Sequence, residues 1–153
     1  MTAPEKFITE FLSIAKLAGV NIPQGAVWLE TLHKPHTPQS VLPQGSMAVY
    51  VFLWGDHCLK VGKIGPKSQA RYMSQHYNPN SSSSNLAKSI LRQKFELGFP
   101  HLTETNVGDW IKQNTDRINF LLDQNLGISV LSLMEAFLQC RLKPKFEGFE
   151  SQK

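Results

Sequence analysis

Residues 47–64 read MAVYVFLWGDHCLKVGKI, and this stretch decides the fold. Ala48-Val49-Tyr50-Val51-Phe52-Leu53-Trp54 is an apolar run rich in β-branched and aromatic residues, which favours a strand covered on both faces. Gly55-Asp56 is a turn signal, and Cys58-Leu59-Lys60-Val61-Gly62-Lys63-Ile64 alternates as a returning strand ended by Gly65-Pro66. An antiparallel hairpin is therefore expected at the centre of a sheet.

Working outward, Arg117-Ile118-Asn119-Phe120-Leu121-Leu122 predicts a third strand. Phe7, Ile8, Phe11, Leu12, Ile14, Ala15 and Leu17 are spaced as one helical face between Pro4, which suits an early helical position, and Gly19, a plausible stop. From Asn21 to Ser46 the chain is rich in Pro and Gln, and only Ala26 to Leu32 alternates as a short strand. His33-Lys34-Pro35-His36 looks like a metal pair, but the prolines make it a loop with no third ligand nearby. Helices are expected at Ser68–Tyr77, Leu86–Phe95, Val107–Gln113 and Ser129–Leu142, the last stopped by Lys143-Pro144. Ser81 to Ser84 is a polar loop leading into a helix cap. The fold class is α+β, a small three-stranded antiparallel sheet flanked by helices, with an N-terminal helical extension. The domain plan is an extension over 1–46, a core over 47–148 and a tail over 149–153.

The 153 residues, 41% apolar and 18% charged, suit one globular domain. No apolar run reaches the roughly 18–20 residues that span a bilayer, and the first residues carry no basic-then-apolar secretory pattern. Two cysteines 82 positions apart are too few for a disulfide scaffold, so a reduced cytoplasmic protein without membrane partners is expected.

The net charge of +4 is unevenly spread. Between Asp56 and Glu96 there is no acid, while Lys60, Lys63, Lys67, Arg71, Lys88, Arg92 and Lys94 supply seven cations. Such a stretch is either a solvated basic face or the footprint of a polyanion. Arg141, Lys143 and Lys145 form a second small cluster. In the last helix, Glu135 falls within the stripe of Leu131, Leu138 and Leu142. A carboxylate there should pair with a cation, bind a metal or floor a cleft.

These pieces, in their order and spacing, resemble the GIY-YIG nuclease family. Ala48-Val49-Tyr50 stands where the Gly-Ile-Tyr triplet belongs, and Lys60-Val61-Gly62-Lys63 where the second motif follows a short hairpin. Arg71 lies nine residues beyond Gly62 with Tyr72 and His76 nearby, and Leu133-Met134-Glu135-Ala136 with Leu142-Lys143-Pro144 is similar to the family's glutamate helix and terminal proline. Three positions depart from the pattern: Lys60 replaces a tyrosine, Ala48 a glycine, and Glu147 an asparagine.

The resemblance implies a DNA endonuclease dependent on Mg²⁺ or Mn²⁺. Tyr50 would activate water or relay its proton, Glu135 would hold the metal, and Arg71 would pair with the scissile phosphate. Lys63 would hold water or phosphate, and His76 would assist the base or contact phosphate. Lys60, Lys67, Tyr72, Lys88 and Arg92 would contact DNA, and cutting both strands would need a homodimer or a partner subunit. The alternative is a nucleic-acid-binding module that keeps this fold without the chemistry.

Overall fold

The computed structural model describes residues 3–38, 41–67, 74–81 and 85–146. The elements run α1 (Pro4–Leu17), β1 (Val27–Leu32), β2 (Ser46–Trp54), β3 (His57–Ile64), a 3₁₀ turn (Gln75–Tyr77), α2 (Leu86–Arg92), α3 (Lys94–Leu97), α4 (Val107–Asn114), β4 (Asp116–Asp123), a second 3₁₀ turn (Gln124–Leu126) and α5 (Ile128–Leu142). The expected helix over Ser68–Tyr77 is described only at its end, as the first 3₁₀ turn; positions 68–73 lie outside the described residues. The helix expected over Leu86–Phe95 ends at Arg92, and Lys94 begins a separate short one.

The sheet has four strands, not three, in the order β1-β4-β2-β3, and every pairing is antiparallel. The added strand is β1, from the Pro-rich segment, which pairs along β4 from Val27 opposite Leu122 to Leu32 opposite Arg117. Beta-4 carries buried residues from Arg117 to Leu122, and β1 satisfies the main-chain groups along its outer side. Strand β3 is the opposite edge.

Because side chains alternate, the sheet has two distinct faces. On the first, Met47, Val49, Val51, Val61, Ile118, Phe120 and Leu122 share a core with Phe7, Phe11 and Ala15 of α1 and Leu131, Met134 and Leu138 of α5. The spacing Phe7-Phe11-Ala15 puts one residue per helical turn on the sheet. Helix α1 thus shares this face with α5. Truncating fully buried Phe11 to Ala should cost about 3–5 kcal/mol.

On the second face, Ala48, Tyr50, Phe52, Leu59, Ile64 and Leu121 pack against Leu86 and Ile90 of α2 and Val107 and Ile111 of α4. The register shifts between Phe52 and Leu53, which face Lys60 and Cys58, so Leu59 is the extra residue of a β-bulge. Asn85 caps α2, its side chain accepting from the Lys88 N–H at 2.8 Å. The chain leaves α5 through Lys143 in a left-handed conformation (φ 48°), and the N–H groups of Lys145 and Phe146 then donate to the carbonyls of Cys58 and Leu59. No described helix is long and apolar enough to cross a membrane.

Candidate functional site

Two rows of cross-strand neighbours organise the second face. The first runs Glu30, Asn119, Tyr50, Gly62; the second runs Leu32, Arg117, Phe52, Lys60. Tyr50 is buried at 3% exposure, and its ring lies over Gly62, where an added methyl group would overlap the hydroxyl. The absence of a side chain at Gly62 is what lets the phenol extend onto edge strand β3. The His76 ring is tilted 52° against that of Tyr50, with centres 4.3 Å apart, and its Nδ1 accepts from the Leu86 N–H at 3.3 Å. In the neutral ring its proton is therefore on Nε2.

Arg117 is fully buried beside these rings. Its guanidinium carbon lies 5.2 Å from the Phe52 ring centre and 5.8 Å from that of Tyr50. Its Nε donates to Asn119 Oδ1 at 3.0 Å, and Asn119 Nδ2 donates to Glu30 Oε1 at 3.2 Å. Its Nη1 donates to the Tyr77 hydroxyl oxygen at 3.4 Å. The same hydroxyl lies 2.7 Å from His36 Nε2, while His36 Nδ1 lies 2.8 Å from the Thr115 carbonyl. A carbonyl only accepts, so Nδ1 carries the proton and Nε2 accepts from Tyr77. Burial lowers the His36 pKa from its ordinary value and outweighs the carbonyl hydrogen bond, which raises it. Burial raises the Tyr77 pKa, against the opposing effect of Arg117. His36 is thus a structural histidine tied to the core, not half of a metal pair.

Lys63 and Glu135 meet on the other face. Lys63 follows Gly62 in β3 and stands opposite Val49, so its side chain turns toward α5. Its Nζ donates to Ser132 Oγ at 3.0 Å and lies 3.8 Å from Glu135 Oε1. The Lys63 side chain is 42% exposed and that of Glu135 19%, so the pair sits at the rim of the core. The salt bridge that a stripe-facing acid calls for is present.

The expected residues are therefore divided by one strand. Tyr50, Lys60 and His76 lie on the second face, and Lys63 and Glu135 on the first. Lys60, expected among the DNA contacts, is buried at 7% exposure. Lys67 and Arg92 are exposed, whereas Lys88 is half-buried rather than fully outward. Arg71, Tyr72 and Glu147 lie outside the described residues.

Sequence reading missed Arg117, Asn119, Tyr77 and Glu30 as a group. One signal was present: Arg117 and Asn119 sit two apart in a strand, hence on one face. Among the described residues no three His, Cys, Asp or Glu side chains form a metal-binding group. A lone glutamate suits only a hard cation that takes its other ligands from water and a substrate phosphate, and Glu135 at the core rim fits that mode. No family model matches the chain, and no curated protein or solved structure matches it significantly.

Proposed function

We propose that this chain is a GIY-YIG-type, metal-dependent endonuclease that hydrolyses DNA phosphodiester bonds at the edge of β3. The carrying observation is the pair of neighbours Gly62 and Lys63. Over Gly62 lies the Tyr50 phenol, and from Lys63 an ammonium reaches Glu135 on the other side of the same strand. At an edge strand a single ligand can meet groups from both faces.

In this reading the Tyr50 oxygen takes or relays the proton of the attacking water. Arg117 stabilises negative charge developing on the phenol, and the tilted contact of His76 holds the ring in place. Lys63 orients the Glu135 carboxylate and offers positive charge to a phosphate. Glu135 would hold a Mg²⁺ or Mn²⁺ ion, which when bound supplies charge stabilisation at the phosphate and the departing oxygen. Two cysteines 82 positions apart suit a cytoplasmic setting, and one such site per chain suits a homodimer or a partner subunit for double-strand cutting.

The second reading, a nucleic-acid-binding module without chemistry, is favoured by one observation: the buried Tyr50 and Glu135 arise on opposite faces. Supercoiled plasmid incubated with the purified protein, with and without Mg²⁺ or Mn²⁺, separates the two. Metal-dependent nicking is expected, with Tyr50→Phe slowing it about 10²–10⁴-fold. A Tyr50→Phe rate within about twofold of wild type removes the role given to Tyr50, the lower bound of that range being far larger. Binding without cleavage under every metal selects the module.

A further inference from the structure

At the turn end of the β2–β3 hairpin lies a cavity of about 370 Å³ lined by Trp54, Asp56, His57, Leu97, Lys143 and Lys145, among others. Its volume is that of a small-ligand site. Trp54 forms one wall, held by edge-to-face contacts with Phe99 at 5.0 Å and Trp110 at 5.8 Å between ring centres. The two lysines are set by backbone: Lys143 by its left-handed cap position, Lys145 by the hydrogen bond of its N–H to the Cys58 carbonyl. Asp56 adds an acceptor. Asp56, His57 and Cys58 are adjacent in the chain but do not form a metal-binding group.

An aromatic wall, two lysines held by their backbone and one acceptor match the parts of a nucleotide. A base stacks on an indole, a phosphate sits on ammonium groups, and a carboxylate accepts from an exocyclic amine such as cytosine N4. We propose that this cavity receives one unpaired base of the DNA strand, with its neighbouring phosphate on Lys143 and Lys145, so that the substrate carries a single-stranded segment beside the scissile bond. A base inside a duplex is stacked on both sides and paired, and cannot enter such a cavity without leaving the helix.

Position supports the same occupant. Cys58 in the cavity wall and Gly62 under Tyr50 lie on one strand, three pairing positions apart because Leu59 is bulged out, and so separated by roughly 10 Å. That is about three base steps of a stacked strand at ~3.4 Å each. One DNA strand following the β3 edge therefore reaches both places. The proposal rests on the β3 edge being the cleavage site, and it fixes which DNA is preferred there.

The test is a binding measurement in EDTA, where no cleavage intervenes, using a short labelled single strand and a blunt duplex of the same sequence. The single strand is expected to bind the full-length protein more tightly than the duplex. Trp54→Leu stays apolar but removes the π-face, and should weaken single-strand binding by about 5- to 100-fold while leaving duplex binding unchanged. Trp54→Phe should restore most of the loss. Replacing both lysines, as Lys143→Asn with Lys145→Gln, should reduce the slope of log affinity against log salt by roughly 0.7 for the single strand, the loss of one neutralised phosphate. Asparagine tolerates the left-handed position of Lys143.

Equal affinity for the two DNAs, or an unchanged single-strand affinity in a folded Trp54→Leu, overturns the cavity. If plasmid is cut while Trp54→Leu is silent, the cavity alone falls. If Trp54-dependent single-strand binding holds but no DNA is ever cut, the cavity stands and the cleavage reading falls.

Discussion

Gly62→Ala is the most direct probe of the β3 edge. Gly62 is not among the glycines with positive φ, so alanine meets no backbone obstacle there. In a strand interior, replacing glycine by alanine should by itself stabilise by about 0.5–1 kcal/mol through the unfolded chain. The obstacle is Tyr50, because the new methyl group would overlap the hydroxyl and its ring carbon. The ring cannot retreat easily: the centres of the His76 and Phe52 rings lie 4.3 and 5.9 Å from its own, and Arg117 lies beside it. Overpacking of this kind costs roughly 1–3 kcal/mol.

The cost should vanish when the phenol is removed. In a Tyr50→Ala background, Gly62→Ala should be neutral or stabilising by up to about 1 kcal/mol, giving a coupling of roughly 1–3 kcal/mol in a double-mutant cycle. Urea unfolding of the four proteins measures this, with equal m-values required for the comparison. A Gly62→Ala effect that is the same with and without Tyr50 refutes the packing argument. In the plasmid assay, Gly62→Ala should fall with Tyr50→Phe, because the displaced oxygen no longer occupies the strand edge.

Two further outcomes follow from the geometry. Glu135→Gln should abolish metal-dependent cleavage while melting temperature and DNA affinity stay near wild type, since a 3.8 Å pair between partly exposed groups contributes only about 0–1 kcal/mol; persistent cleavage by the folded variant removes the metal role. His36 has a folded pKa below its ordinary value, so below about pH 6.5 the unfolded chain takes up a proton that the native chain resists. Its contribution is fully present above that pH and is lost as pH falls toward the folded pKa, with a slope of at most about 1.4 kcal/mol per pH unit. Urea midpoints across this window should fall less steeply in His36→Gln; identical slopes would refute the buried, neutral His36.

The hairpin, α1, α4, β4 and α5 were legible because their apolar periods are local. Beta-2 is a continuous apolar run, Phe7-Phe11-Ala15 repeats every four residues, and Pro144 marks the end of α5. What stayed hidden depends on register. The parity of a strand tells which residues share a face, but not which face a distant helix covers. Glu135 on its apolar stripe therefore gave no sign of lying across the sheet from Tyr50. The place of β1 in the sheet was equally obscure, since Glu30 meets Asn119 across 89 positions. Arg117 and Asn119 alternate along β4, but their burial depends on distant partners, the Tyr50 and Phe52 rings, Tyr77 and Glu30, which no local pattern reveals.

Enclosure of Arg117 bears on what the second face is for. Taking a guanidinium out of water carries a penalty of several kcal/mol, and apolar residues of similar volume often serve a core as well or better. Packing alone therefore gives no reason for a fully buried arginine in a central strand. Its hydrogen bonds do more than satisfy it. Through Asn119 it reaches Glu30 of β1, and through Tyr77 it reaches His36 of the Pro-rich segment, so elements far apart in sequence converge on one charge. That charge stands beside the Tyr50 ring, on the same face as the phenol's path to Gly62. A cation fixed in low dielectric acts on a nearby phenol far more strongly than one in water. The arrangement supports a phenol that must carry negative charge for a moment during proton transfer, a demand that a binding module does not make of a buried tyrosine.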